Sequence, residues 1–130
     1  MTDTDLAYLA GFFDSRGSIF LQRYSTPRGP NYVLGVSIYE QDRSVLESIR
    51  QFLGAGKIHR SKQGFELRFP PREAYRVVKQ LEPLLRIKKP QAQLAIEFHS
   101  KKTRQRPLSD EERRFRTECY ERMRALNAPK

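Results

Sequence analysis

The stretch YLAGFFDSRGS, residues 8–18, decides how this chain of 130 residues folds. Apolar residues at positions 6, 9, 10 and 13 share one helical face, which predicts a helix from about Thr4 to Asp14. Gly17 ends this helix, and residues 18–25 (SIFLQRYS) then alternate between apolar and polar side chains, as a half-buried strand does. The stretch therefore joins a helix directly to a strand.

Beyond this stretch, the chain contains two predicted hairpins, each followed by an amphipathic helix. Ser109 and Glu112 have the spacing of a capping box, which predicts the start of a last helix. The order of elements predicts a single α+β domain over residues 1–130, with an αββαββα core at about 5–100 that forms one four-stranded antiparallel sheet. Extra C-terminal helices follow this core. The predicted strands lie at 18–25, 32–39, 57–61 and 65–69, and the helices at 4–14, 42–53, 70–85, from 88 onward and 109–127.

The composition excludes several classes of protein. Hydrophobic residues make up 38% of the chain and charged residues 31%, which is too apolar for a disordered tail. No apolar run approaches the roughly 18 residues that a membrane span needs, so no membrane partner is expected. Cys119 is the single cysteine and the histidines number 2, which argues against a disulfide scaffold or a structural zinc site. We expect a reducing, intracellular compartment.

The positive charge is concentrated in the middle of the chain. The formal net charge is +10, and residues 54–106 hold 14 basic and 4 acidic residues. A basic excess within one part of a folded domain favours an anionic partner, most often nucleic acid. The alternative is a solvated surface without a partner.

One face of the predicted sheet is expected to be uncovered, because helices that collect on one side leave the other side open. Its side chains are the hydrogen-bonding types that contact base edges in a major groove. A polar, solvated sheet face with no partner is the alternative. The residues expected on this face are Gln22, Tyr24, Ser37, Tyr39, Lys57, His59, Ser61, Glu66 and Arg68.

Residues 8–18 resemble the signature of the LAGLIDADG homing endonucleases. The resemblance continues from Gly17-Ser18-Ile19 into a strand, and it covers roughly residues 5–100. Further matching segments, in the family's order, are Glu40-Gln41-Asp42 with Val45-Leu46, LGAGKI at 53–58 and LLRIKKPQA at 84–92. This chain has one copy of the signature, and single-copy members of the family act as homodimers on double-stranded DNA. The resemblance also implies a double-strand break that depends on Mg²⁺ or Mn²⁺.

The resemblance implies roles for the signature helix and its surroundings. The helices of two protomers pack together through small residues, and a two-fold interface of this kind is self-complementary. The backbone carbonyl of Ser15 matches a metal-facing carbonyl, and Lys88 matches a basic position beside the scissile phosphate. The residues expected at the dimer interface are Ala7, Ala10, Gly11 and Asp14.

Two positions depart from the family pattern. Arg16 stands where the family has a metal-binding acid, and a guanidinium has no acceptor to offer a cation. Glu40 stands where relatives commonly have glutamine, so it is either a relocated metal ligand or an exposed glutamate at the end of a strand. Cleavage is therefore expected to be impaired, although Arg16, Glu40 and Lys88 remain the catalytic candidates, with Ser15 and Arg16 at the metal position.

The expected DNA contacts fall into two groups. Phosphate contacts give affinity and salt dependence, whereas contacts to base edges give specificity. The phosphate candidates are Lys88, Lys89, Lys101, Lys102, Arg104 and Arg106. The candidates for base contacts are Gln22, Tyr24, Arg28, Ser37, Lys57, His59, Ser61, Glu66 and Arg68.

The sequence therefore predicts binding of a long, pseudo-palindromic DNA site by a homodimer. The rival hypothesis is a non-cleaving DNA-binding protein on the same scaffold, such as a repressor or an intron-splicing maturase that also binds intron RNA. Either protein would act on nucleic acid in the cytoplasm or nucleoid, or in an organelle matrix.

Overall fold

The computed structural model describes residues 2–101 and 107–129, and it has two layers. One layer is a four-stranded antiparallel sheet and the other is a set of helices packed on one face of that sheet, which confirms the predicted α+β class. None of the described helices combines the length and hydropathy that a membrane span requires. The elements are α1 (Asp3–Arg16), β1 (Gly17–Thr26), β2 (Gly29–Glu40), α2 (Arg43–Leu53), β3 (Lys57–Ser61), β4 (Gly64–Phe69), α3 (Pro71–Leu81), α4 (Lys89–Ser100) and α5 (Asp110–Asn127).

The sheet has the strand order β1-β2-β4-β3. Strands β1 and β2 form a long hairpin that pairs from Gly17 opposite Ile38 to Thr26 opposite Gly29, so its turn is only Pro27 and Arg28. This turn is shorter than the loop expected at residues 26–30. Gly29 has a φ of 111°, a conformation that favours glycine. The two strands therefore pair along their whole length, from the end of α1 to this turn.

Alternating side chains of the strands form the core. Ile19, Val36 and Leu67 point to the helical layer and are at most 1% exposed. They pack with Phe13 of α1 and Val77 of α3, which are fully buried. Burying a side chain of this size contributes about 1.5–3 kcal/mol. The core thus fixes which side of every strand remains open.

Helix α3 ends at Leu81, earlier than the predicted Leu85. The residues Glu82–Leu84 form a single 3-10 turn instead. Pro83 explains the difference, because it has no backbone N–H to continue the helical hydrogen bonds and restricts the residue before it. The consequence is an irregular segment between α3 and α4 that passes the end of α1.

Helix α5 closes the helical layer over β1 and β2. The predicted capping box of Ser109 and Glu112 is present at its start. Arg116 is 7% exposed; its Nε donates to Asn31 Oδ1 at 2.9 Å and its Nη2 to the Tyr32 carbonyl at 2.6 Å. Each hydrogen bond from a charged donor of this kind is worth roughly 1.5–3 kcal/mol. The last helix is therefore fixed to the long hairpin.

Candidate nucleic-acid interface

The sheet face opposite the helices carries most of the polar residues expected there. Adjacent strands place Ser37 opposite Arg68, Arg68 opposite Lys57, and Glu66 opposite both Tyr39 and His59. We call this surface the open sheet face. Its exposed members are Gln22, Tyr24, Tyr39, Lys57, His59 and Arg68, whereas Ser61 and Glu66 are half-buried.

Ser37 is a correction, because it is fully buried rather than exposed. It lies on the open sheet face by alternation, but larger neighbours surround it. The ring of Phe20 covers the adjacent Gly35 so closely that a Cβ there would clash with the ring. Arg68, opposite Ser37, has its guanidinium 5.7 Å from the centre of the same ring. The Ser37 hydroxyl is therefore inaccessible to a partner.

Phe20 also lies on the open sheet face, and its support of Arg68 was not predicted from the sequence. Its ring supports the guanidinium of Arg68, an arrangement worth about 0.5–1 kcal/mol at an exposed site. The available signal was that Phe20 alternates onto the polar side of β1. The ring limits the directions in which Arg68 can extend, which favours a defined contact over a mobile one.

Tyr39 and Glu66 form a polar pair beside this cluster. They are direct partners in the register of β2 and β4. Hydrogen bonding to the Glu66 carboxylate raises the pKa of Tyr39 above its ordinary value near 10.0, and burial adds to this effect. The hydroxyl therefore stays protonated at neutral pH beside the Glu66 carboxylate.

Arg16 is the last residue of α1 and forms an ion pair with Glu40 at the end of β2. Arg16 Nη1 lies 3.3 Å from Glu40 Oε1, and the side chains are 51% and 14% exposed. Glu40 Oε2 accepts a second hydrogen bond from the backbone N–H of Asp42 at 3.2 Å. Glu40 is therefore neither a free carboxylate nor an exposed glutamate at the strand end. A pair this exposed contributes about 0–1 kcal/mol.

These residues do not fit a divalent cation. A hard cation such as Mg²⁺ needs oxygen ligands, but Arg16 supplies a positive charge at the position of the acid, and Glu40 is engaged with it. Over residues 2–101 and 107–129, no three His, Cys, Asp or Glu side chains cluster so that they could hold a metal ion. Ser15, whose carbonyl was expected to face a metal, is at the same helix end, directly before Arg16.

Asp14 joins the end of α1 to the segment that follows α3. Its Oδ2 accepts from the Arg86 N–H at 2.8 Å and its Oδ1 from the Lys88 N–H at 3.0 Å. Burial raises the pKa of Asp14, but backbone hydrogen bonds from Lys88, Arg86 and Ile87, with the charge of Lys88, outweigh burial and hold it below 3.8. The Asp14 carboxylate thus contacts its own protomer, and its expected place at the dimer interface stays a prediction.

Lys88 lies at the same helix end, and its expected place beside a scissile phosphate stays a prediction. Its Nζ donates to the carbonyl oxygen of Asp14 at 3.2 Å. Two cations, Lys88 and Arg16, therefore lie at the C-terminus of α1, where the helix dipole favours positive charge.

The two further lysines expected to contact phosphate differ, because Lys89 is engaged within its own chain whereas Lys101 is exposed and its phosphate contact stays a prediction. Lys89 Nζ donates to the Glu82 carbonyl at 2.9 Å, to Glu82 Oε2 at 3.0 Å and to the Pro83 carbonyl at 3.3 Å. These contacts use all three donors of the ammonium group, so Lys89 stabilises the segment after α3. Lys101 is exposed on the helical layer, 4.6 Å from the ring centre of Phe115.

The remaining expected contacts have mixed outcomes. Arg28 is exposed in the turn of the long hairpin. Lys102, Arg104 and Arg106 lie outside the described residues, and their proposed phosphate contacts stay predictions.

Helix α1 has an outer face made of Ala7, Tyr8, Gly11 and Ser15, all of which are exposed. Tyr8 is 68% exposed, and a Cβ on Gly11 would have no neighbour within 4 Å. Ala10 is a correction, because it is 1% exposed and packs in the protomer's own core. It shares the helical face of the buried residues Leu9 and Phe13, so it is not available to a second helix.

Replacing Asp14 by alanine is expected to lower the free energy of unfolding by about 2 kcal/mol at pH 7, because two hydrogen bonds to a charged acceptor are lost. The folded pKa of Asp14 is lowered, so its contribution is present above the unfolded value and is lost as the pH falls through the folded value. The difference from the unsubstituted chain should therefore shrink below about pH 4. Urea denaturation at pH 7 and pH 3 measures it.

The matched control is Glu118→Ala on the exposed side of α5, which should change stability by less than about 0.5 kcal/mol. An Asp14→Ala difference that stays constant between the two pH values would contradict this role of the ionised carboxylate.

The chain is similar to known proteins both in sequence and in fold. The model of the LAGLIDADG endonuclease family matches residues 9–93, which is more than half of the chain. No curated protein sequence matches at a significant level.

The solved structures most useful for comparison are homing endonucleases. The archaeal intron-encoded I-Vdi141I complexed with DNA has a TM-score of 0.85 at 17% identity, covering 98% of this chain and 87% of that chain. I-CvuI in complex with the I-CreI target has a TM-score of 0.79 at 21% identity, covering 98% and 84%. I-TnaI has a TM-score of 0.76 at 20% identity, covering 93% and 94%. The likeness establishes a shared fold, and with the family match over residues 9–93 the chain belongs to the LAGLIDADG endonuclease family.

Proposed function

We propose that this protein binds a long duplex DNA site as a homodimer, through the open sheet face, and that it does not cleave this site. The observation that carries the proposal is the open sheet face itself. It presents Lys57, His59 and Arg68 beside uncharged donors and acceptors on a twisted antiparallel sheet. A ribbon of this kind fits the major groove, where each base pair has a distinct pattern of donors and acceptors. DNA complexes of the similar endonucleases I-Vdi141I and I-CvuI support the same partner.

The homodimer follows from the outer face of α1. Gly11 leaves a gap in the helix surface, and Ala7 and Ser15 are small, so a symmetry-related helix can approach closely. An interface of this kind is self-complementary and gives a two-fold axis. Two sheets related by that axis would contact two half-sites, which implies a pseudo-palindromic site about two helical turns long.

The ion pair at the end of α1 is the reason for proposing binding without cleavage. Metal-assisted hydrolysis needs a cation that activates water and stabilises the charge on the phosphate. Arg16 supplies fixed positive charge at this position, and Glu40 is paired with it. Arg16 and Lys88 can therefore hold a phosphate near the centre of the site, but neither generates a nucleophile. The protein would act as a DNA-binding member of the family, in whichever intracellular compartment holds its target DNA.

The proposal is tested by selecting binding sites from random duplex DNA and measuring affinity by gel shift. We expect a pseudo-palindromic site with a Kd of about 10 nM or tighter at physiological salt. We also expect a log–log salt dependence with a slope of several units, since each neutralised phosphate contributes about −0.9. The supercoiled plasmid that carries the site should stay intact in Mg²⁺ or Mn²⁺.

Duplex RNA is the informative competitor in this experiment. The major groove of A-form RNA is too narrow and deep for a sheet to enter, so RNA should compete poorly. Preferential binding of intron RNA over the selected duplex DNA would favour the maturase function instead, and linearised plasmid would overturn the proposal that the protein does not cleave.

A further inference from the structure

The open sheet face contains one acidic side chain, Glu66, among the side chains that alternation places there. It lies two residues from Arg68 on β4 and opposite His59 on β3. No lysine, arginine or histidine of the described residues forms an ion pair with Glu66. A carboxylate that approaches the DNA polyanion without a cation is unfavourable unless it accepts a hydrogen bond from the DNA, so its position needs an explanation.

Glu66 has a hydrogen-bonding neighbour within its own protein. Tyr39 is its direct cross-strand partner on β2, so the Tyr39 hydroxyl is placed to donate to the carboxylate, and Tyr39 is 46% exposed. Such a bond would use only part of the accepting capacity of the carboxylate, which has two oxygens with about four lone pairs. Oxygen lone pairs therefore remain for a donor that arrives from the open side of the sheet.

Among the base edges of the major groove, cytosine is the best match for such an acceptor. Cytosine presents the N4 amino group as a donor, whereas guanine presents only acceptors there. Adenine also presents an amino donor, but its neighbouring N7 is an acceptor that would repel an ionised carboxylate. Thymine presents an acceptor and a methyl group.

We propose that Glu66 specifies cytosine in each half-site, with Tyr39 as the residue that positions it. This inference rests on the proposed DNA-binding function, and it assigns a base to one position of that site. Arg68, which suits guanine, is two residues away on the same strand. A strand rises about 3.3 Å per residue and DNA about 3.4 Å per base pair, so the two side chains should contact base pairs about two steps apart.

The experiment compares base preferences at every position of the selected DNA site for the unsubstituted protein and for Glu66→Gln. In the unsubstituted protein, cytosine should be preferred at one position per half-site by about ten- to a hundredfold. Glu66→Gln should remove this preference and favour adenine there, because glutamine can pair with both N6 and N7 of adenine. The affected position should lie about two base pairs from the position that Arg68→Ala alters.

Tyr39→Phe is the second variant, and it keeps the ring but removes the hydroxyl. It should reduce the cytosine preference at the same position. If Glu66→Gln fails to fold by circular dichroism, Tyr39→Phe still tests the assignment. Glu118→Gln on exposed α5 is the matched control and should leave every preference unchanged.

The outcomes separate this inference from the proposed function. An unchanged base profile in Glu66→Gln and Tyr39→Phe, with selective DNA binding intact, would overturn the role of Glu66 alone. If Glu66→Gln removed a base preference that is not about two base pairs from the position of Arg68, the inferred spacing of Glu66 and Arg68 along the DNA would be overturned. Absence of selective duplex binding by the unsubstituted protein would refute the proposed function and this inference with it.

Discussion

Replacing Gly11 by leucine is expected to leave the protomer folded, to prevent dimerisation and to weaken binding to the full DNA site by at least about a hundredfold. A Cβ at Gly11 has no neighbour within 4 Å in the protomer, so the new side chain meets no obstacle there. Leucine also favours the helical backbone over glycine by about 0.8 kcal/mol. Only a second helix packed on the outer face of α1 would be displaced.

The large loss of affinity is expected because the dimer contacts two half-sites of the DNA at once. When two binding surfaces are joined, the second contact is made at high effective concentration, which raises affinity by about 10²–10⁴. The variant should therefore lose affinity for the full site but bind a single half-site as the unsubstituted chain does. Analytical ultracentrifugation and gel shifts on full and half sites measure both effects.

Ser48→Leu provides the control, since it places the same side chain on an exposed position of α2, away from α1. It should leave the mass in solution and the affinity unchanged. If Gly11→Leu remains dimeric with full affinity, the outer face of α1 is not the interface.

Replacing Arg16 by glutamate is expected to produce cleavage of the selected site in Mg²⁺, at least about a hundredfold faster than any activity of the unsubstituted chain. The change removes the guanidinium that pairs with Glu40 at 3.3 Å and puts a carboxylate at the end of α1. Oxygen ligands then replace a positive charge, which suits a hard divalent cation. A bound metal contributes several kcal/mol to phosphoryl chemistry, and about 1.4 kcal/mol is tenfold in rate.

Two further substitutions distinguish the ligands. Arg16→Gln removes the positive charge without adding a carboxylate, so it should bind the site and leave the plasmid intact. Cleavage by Arg16→Gln would mean that Glu40 supplies the ligand once it is released. The double variant Arg16→Glu with Glu40→Gln should still cut if position 16 alone is sufficient. Electron paramagnetic resonance of Mn²⁺ bound to each protein–DNA complex reports metal binding independently of cleavage.

The alternation of side chains along the strands was readable from the sequence, because a strand places successive residues on opposite faces. It assigned Gln22, Lys57 and Arg68 to the open sheet face, where the structure places them. Alternation also places Ser37 on that face, but it does not show that Ser37 is buried. The burial depends on the position of the Phe20 ring, which the register of β1 and β2 sets. Exposure depends on the neighbours across the sheet, and these are set by pairing.

Lysines and small residues show the same limit of sequence reasoning. Lys89 has the positive charge that a phosphate contact needs, but the turn at Pro83 brings three acceptors around its ammonium group. Ala10 is small enough to allow close contact between two helices, but it lies on the inward face of α1 and is buried in the core. In each case the residue type indicated which contacts the side chain can make, but not whether the folded protein leaves that side chain accessible to a partner.

By itself, the sequence determined the α+β class, the order of the elements, the polar open sheet face and the family signature over residues 8–18. These properties follow from local periodicity and from residue types, which every short segment carries on its own. The tertiary structure decided that Arg16 is paired with Glu40, that Asp14 holds the segment of Lys88 and that Glu66 lies directly opposite Tyr39. Each of these contacts joins residues far apart in the chain, and only the register of the sheet and the packing of the helices bring such residues within a few ångströms.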